Sequence, residues 1–86
     1  MSTKEYNEYK NNLISKTINE LDTLVDKHIK DKNSVSMCLI DTLKEILKWF
    51  TQGVTKVLTF NYAAMNFFKN LGFQIESIDT YYSITF

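Results

Sequence analysis

The apolar residues in the first third of the chain repeat with the period of an α-helix. At about 100° per residue they fall in one arc, and most charged residues lie opposite. Ser2-Thr3-Lys4-Glu5 has the form of a capping box, so we predict a helix from there to about Asp31. The apolar arc contains Leu13, Ile14, Thr17, Ile18, Leu21, Leu24, Val25, His28 and Ile29.

A second amphipathic helix is predicted from Ser34 to Gln52. Gly53 suits the left-handed position that follows a helix, and Asn33 suits the end of the first one. The two helices, joined near Lys32, would form an αα-hairpin. The apolar face of the second helix contains Val35, Leu39, Ile40, Leu43, Ile46, Leu47 and Phe50.

The pattern changes at Gly53, after which residues 54–60 are mostly β-branched or aromatic and predict a strand. The alternative is a helix that continues through this segment. Gly53 and the β-branched residues favour the strand, because both are poor in helix interiors. The alternative depends on the heptad spacing of Phe50, Val57, Ala64 and Leu71.

The remaining residues predict a short helix and a β-hairpin. Asn61 can cap a helix that runs to Leu71, and Gly72 can end it. A two-residue turn at Asp79-Thr80 would set the register of the hairpin. One face would then pair Phe73 with Phe86, Ile75 with Ile84 and Ser77 with Tyr82, and the other Gln74 with Thr85 and Glu76 with Ser83.

These elements predict an α+β fold with the order ααβαββ over one domain, residues 1–86. The N-terminal helical hairpin would pack with a three-stranded antiparallel sheet and a short third helix. Placing the last strand between the other two makes every pair antiparallel, which gives the sheet order 1-3-2. A chain of 86 residues has room for one core.

Composition narrows the functional classes. The chain is 44% hydrophobic and has zero formal net charge, so long-range attraction to phosphate is weak. All of its basic residues are Lys, whereas base and phosphate recognition usually relies on Arg. No apolar run reaches the roughly 20 residues of a membrane span, and the start lacks signal-peptide character. Cys38 has no disulfide partner, which favours the cytoplasm.

Side chains that could support catalysis or metal binding are isolated. His28 lies on the apolar arc, where a structural role is expected, and Cys38 lies at the edge of a polar face, where we expect a small, semi-buried thiol. The carboxylate pairs, Asp22 with Asp26 and Asp41 with Glu45, are typical of solvated helix faces. We therefore expect a protein without enzymatic activity, metal or cofactor.

Aromatic side chains exceed what a small core can bury. The helical and strand patterns leave several of them off the apolar faces or at an overhanging start of the long first helix. Exposed Tyr and Trp are enriched in protein interfaces. The predicted partner-binding residues are Tyr6, Tyr9, Trp49, Tyr62 and Tyr81.

The C-terminal part, roughly residues 54–86, resembles short hypothetical proteins of tailed bacteriophages and prophages. These pair a long N-terminal helix with a strand, a helix ending in Leu-Gly-aromatic and a final hairpin. They commonly end in Trp, where this chain has Phe86. The matching residues are Phe67, Phe68, Leu71, Gly72, Phe73, Ile75, Glu76, Tyr81, Tyr82, Ile84 and Phe86.

The resemblance implies a phage accessory protein with no assigned activity. With the aromatic surplus, it leads us to expect a protein partner, such as a host factor, or a homodimer, and no membrane partner. The alternative is a winged-helix-like nucleic-acid-binding regulator. That alternative lacks cations, since Lys69 is the only one on the wet face of the candidate recognition helix.

Overall fold

The computed structural model describes residues 2–31 and 36–86. The α+β class and the order ααβαββ are confirmed. The predicted connection near Lys32 and Asn33, and the predicted start of the second helix at Ser34, lie outside the described residues. The elements are α1 (Thr3–Lys30), α2 (Met37–Thr51), β1 (Lys56–Thr59), α3 (Tyr62–Leu71), β2 (Gln74–Ile78) and β3 (Tyr81–Thr85).

The end of α2 determines where β1 begins. Gly53 has a φ of 94°, and the next amide, that of Val54, donates to the carbonyl of Trp49 at 3.1 Å. This closes the last turn in the manner of a Schellman motif. β1 begins after this turn, at Lys56, two residues later than predicted.

The other end of β1 is set by the start of α3. The amide of Asn61 donates to the Thr59 hydroxyl oxygen at 3.0 Å, and the Asn61 side chain accepts from the amide of Ala64 at 3.1 Å. The chain turns into the helix there, so β1 ends at Thr59 and not at the predicted Phe60. The predicted cap of α3 is confirmed, and so is its end at Gly72, with a φ of 109°.

The sheet has the predicted order, β1-β3-β2, with both pairs antiparallel. Asp79 in the turn adopts a φ of 51°, a left-handed conformation that Asp tolerates better than most residues. The predicted hairpin register is confirmed at Gln74–Thr85, Ile75–Ile84, Glu76–Ser83 and Ser77–Tyr82.

One hydrophobic core joins the helices and one face of the sheet. Phe50 of α2 lies at its centre and contacts the rings of Phe68, Phe73 and Phe86, with centroids 4.8–5.9 Å away. The helix α3 packs across all three strands, and α1 packs along α2. The sheet is therefore covered by helices on one face.

The apolar arc of α1 is only partly used. Leu13, Thr17 and Leu21 are buried, but Ile18 and Ile29, at one edge of the predicted arc, are 41% and 68% exposed. The periodicity predicted a wider buried face than the structure has. Ile18 lies between the buried Thr17 and Leu21 along the helix, so it is the width of the arc, and not its length, that the neighbouring elements fail to cover.

Candidate functional site

The outer face of the sheet is the side away from the helices. Side chains alternate along a strand, so Val57 of β1 faces the core with Ile84 of β3, while Lys56 and Leu58 face outward. Leu58 is 55% exposed although it is apolar. The outer face therefore presents hydrophobic surface that the described helices do not cover.

Two aromatic pairs lie where β1 ends and β3 begins. Extending the β1–β3 register by one residue sets Phe60 opposite Tyr81, and their ring centroids are 5.8 Å apart. The rings of Tyr62 and Tyr82 are 6.3 Å apart. Phe60 is 75% exposed and Tyr62 is 62% exposed. We call these four residues the aromatic end.

The backbone groups that β3 directs to β1 follow from the hairpin register. The two-residue turn at Asp79-Thr80 makes Ile78 and Tyr81 a hydrogen-bonded pair. Bonded and non-bonded pairs alternate along an antiparallel ladder. The β3 residues whose N–H and C=O groups point to β1 are therefore Tyr82 and Ile84.

The opposite side of β1 is a free sheet edge. The β1 partners of those two residues are Thr59 and Val57, so the backbone groups of these two point into the sheet. The N–H and C=O groups of Lys56 and Leu58 point away from it, and Phe60 continues the alternation. Among the described residues, no hydrogen bond occupies these outward groups.

A groove of about 190 Å³ runs between β1 and α2, beside the free edge. We call it the edge groove. Trp49 of α2 borders it and is 44% exposed. Glu45 is the only charged residue in its lining, which is otherwise apolar or hydroxyl-bearing. The lining residues are Thr42, Glu45, Ile46, Trp49, Val57, Leu58 and Thr59.

The five predicted partner-binding residues do not form one surface. At the aromatic end Tyr81 contacts Phe60, whereas Tyr62 contacts Tyr82, and Trp49 lies at the edge groove. Tyr6 and Tyr9 belong to the start of α1, which lies near the C-terminal end of α3, as the contact of Tyr9 shows. The structure thus places two of the five at the aromatic end, in different ring pairs, and the others elsewhere.

Tyr9 takes part in packing. It is half-buried against the core, and its hydroxyl donates to the carbonyl of Gly72 at 3.5 Å. The next residue, Lys10, places its ammonium 5.3 Å from the ring centroid of Phe86. The predicted overhang of α1 therefore ends before Tyr9, and Tyr6, 36% exposed, lies within it.

Sequence reasoning missed Leu58 and Phe60 as site residues. Period-2 alternation from the core residue Val57 already places both on the outer face. Strand propensity alone does not show which face of the strand these two side chains occupy. Predicting the free edge of β1 requires the order of the strands in the sheet as well as the period-2 alternation.

His28 and Cys38 lie on different helices in the structure. His28 is half-buried on α1, and Cys38 is exposed, so the expectation of a semi-buried thiol was wrong. Cys38 lies in the first turn of α2, where the described residues do not cover it. Within residues 2–31 and 36–86, no cluster of three or more His, Cys, Asp or Glu could hold a metal ion.

Comparisons with known proteins find no match. No protein-family model matches the chain, and neither a curated protein nor a solved structure is similar to it. None of the helices in the described part of the chain is long and apolar enough to cross a membrane.

The candidate functional site consists of the aromatic end, the free edge of β1 and the edge groove.

Proposed function

We propose that this protein is a non-enzymatic, protein-binding accessory protein of the phage type. It acts by occluding or scaffolding a protein partner, or by associating with itself. The observation that carries the proposal is the aromatic end, where Phe60 and Tyr62 remain exposed beside Tyr81 and Tyr82. Large aromatic side chains of this kind are enriched at the centres of protein interfaces.

The aromatic end is separate from the aromatic core. The core rings of Phe50, Phe68, Phe73 and Phe86 contact one another and are buried. Phe60 belongs to no core cluster and keeps most of its surface in water. Covering such a ring with a partner releases the free energy that its exposure costs.

The surroundings of the aromatic end also fit an interface. Its four residues and the neighbouring Leu58 carry no charge, and interface centres are depleted in charged residues. The nearest cation along β1 is Lys56, at the other end of the strand. A surface with this composition is better suited to a protein than to a phosphate backbone.

The biological setting is part of the same proposal. The phage assignment is supported by the resemblance over residues 54–86. A cytoplasmic location, in the host cell if a phage encodes the chain, is supported by Cys38, an exposed thiol without a disulfide partner. A partner in that compartment would be a host factor or another copy of the chain.

The proposal is tested with a variant carrying Phe60→Ser and Tyr62→Ser, which removes the two most exposed rings of the aromatic end. The comparison variant is Tyr6→Ser, which removes an exposed ring at the start of α1. Affinity capture from a bacterial lysate, read by mass spectrometry, and light scattering are applied to all three proteins. We expect the first variant to lose the associations of the unmodified chain and Tyr6→Ser to keep them.

Equal association of all three proteins would refute the proposal. Binding to duplex DNA that weakens steeply with salt and disappears in Lys69→Ala would instead support the winged-helix alternative. Circular dichroism of each variant checks that the fold is intact, since the substituted rings lie outside the core.

A further inference from the structure

We infer that the free edge of β1 docks a second copy of this chain, whose own β1 pairs with it antiparallel across a two-fold axis at Leu58. Each three-stranded sheet would then continue into the other. This inference rests on the proposed function, because it names the partner of the exposed region. A two-fold dimer of this kind uses the same surface on both copies.

The backbone of β1 determines the register. The outward N–H and C=O groups belong to Lys56 and Leu58, with Phe60 next in the alternation. Centring the pair on Leu58 joins Leu58 to its own copy and Lys56 to Phe60 of the second copy. Centring it on Val57 would set Phe60 opposite Val54, whose amide already closes α2. The register centred on Leu58 therefore uses every outward group.

The side chains in this register are electrostatically compatible. Lys56 lies across from the exposed ring of Phe60 of the second copy, and a cation beside an aromatic face is attractive. The two Lys56 residues are offset by four positions, about 13 Å along the strand, beyond the ~8 Å screening length at physiological salt. Zero net charge adds no long-range repulsion between copies.

The edge groove receives the inner face of the added strand. Val57 and Thr59 of the second copy point to the helix side of the sheet, as they do in the first copy. They would lie over the groove beside Trp49, where Glu45 is the only charge. Docking therefore covers Trp49, and its fluorescence reports the event, since it is the only Trp in the chain.

The first measurement is the mass of the unmodified full chain by light scattering, over about 1 μM to 1 mM, a range that brackets common dimer affinities. We expect the mass to rise from 10.1 kDa to twice that value. The emission of Trp49 should shift to shorter wavelength over the same concentrations, because the indole leaves water.

Leu58→Pro tests the backbone pairing. Proline removes only an N–H that points away from the sheet, so the bonds between β1 and β3 remain. Two hydrogen bonds are lost per dimer, and we expect the dissociation constant to rise about 10- to 100-fold. The matched control is Leu58→Val, which keeps the N–H and should remain a dimer.

Leu58→Lys and Leu58→Glu test the position of the axis. Each variant alone brings two like charges together at the axis and should be a monomer. An equimolar mixture should form a one-to-one heterodimer, because opposite charges then meet. This result requires residue 58 of one copy to lie opposite residue 58 of the other. It therefore tests the position of the axis even if Leu58→Pro does not fold.

Two results would overturn the inference. One is a chain that stays monomeric over the whole range, and the other is a dimer that Leu58→Lys and Leu58→Glu each retain unchanged. If the monomeric chain still captures a foreign protein through the aromatic end, only the second copy is refuted and the proposed function stands. If no association of any kind is found, both fail.

Discussion

Phe50 is the residue on which the aromatic contacts of the core converge. It is 1% exposed, stacks on Phe73 at 5.3 Å and meets the edge of Phe68 at 5.9 Å. The same small chain exposes Phe60 to water at 75%. The buried ring of Phe50 therefore stabilises the fold, whereas the exposed ring of Phe60 does not. Substituting each residue in turn tests this difference.

We expect Phe50→Ala to lower the free energy of unfolding by about 3–5 kcal/mol, since it leaves a cavity among three rings. That is a large part of the roughly 5–15 kcal/mol typical of a domain. The control, Phe60→Ala, should change it by no more than about 0.5 kcal/mol. Urea unfolding followed by circular dichroism on dilute protein measures both, and equal losses would contradict the packing described.

The two side-chain caps of the helices differ in what they support. Ser2 accepts from the amide of Glu5 at 3.2 Å at the exposed start of α1. Asn61 accepts from the amide of Ala64 at 3.1 Å and begins α3, which packs across the sheet. A lost cap matters for global stability only where the helix end is tied to the core.

Asn61→Ala should therefore cost about 0.5–2 kcal/mol of the free energy of unfolding, the usual range for a lost N-cap. Ser2→Ala should cost less than about 0.5 kcal/mol, because the first turns of α1 can fray without unfolding the core. Thermal denaturation of both variants makes the comparison. A larger loss in Ser2→Ala would mean that the start of α1 is more firmly packed than the structure shows.

The alternation of backbone bonds along β1 is directly measurable. In dilute protein we expect the amides of Val57 and Thr59, bonded to β3, to exchange with solvent at least about tenfold more slowly than those of Lys56 and Leu58. Residue-resolved hydrogen exchange by NMR gives the rates. The opposite order would reverse the assignment of the free edge.

Much of this element-level structure was predictable, because it depends on local chemistry. The turn at Asp79-Thr80 and the alternation around it specified the hairpin register, and Asn61 and Gly72 bounded α3. The start of β1 was not predictable, because it depends on how the chain turns after α2, where Gly53 is left-handed and the Val54 amide bonds to the carbonyl of Trp49. Strand propensity does not contain that information.

The exposure of individual side chains was the other feature that the sequence did not predict. Periodicity identifies a face but not the neighbour that covers it, so Ile18 and Cys38 were expected to be more buried than they are. For the same reason, Tyr6 and Tyr62 could be named as exposed without any sign that they lie apart. The free edge follows only once β3 is known to be the central strand.

At the scale of the whole molecule, α1 gives the protein an elongated shape. The radius of gyration is 13.3 Å, against about 12 Å for a compact domain of this length. The longest dimension, 43 Å, is close to the ~42 Å of a straight helix of 28 residues. Projection of the first turns of α1 beyond the core accounts for the difference.

Refolding of the whole chain should lack the slow phases common in other proteins. The sequence has no proline, so no prolyl isomerisation on the scale of tens of seconds is available, and the single cysteine cannot form an internal disulfide. We expect stopped-flow refolding from urea to finish within seconds. Any slower phase should accelerate with protein concentration, as association does, and a slow phase independent of concentration would contradict this.

The central position of β3 also has a consequence for synthesis on the ribosome. Both of its neighbours, β1 and β2, precede it in the chain, so each emerges before the strand that pairs with it. The helices α1 and α2, in contrast, come first in the chain and can pair with each other early. The helical hairpin can therefore form before the sheet, which assembles in one late step once β3 is available to pair with both β1 and β2.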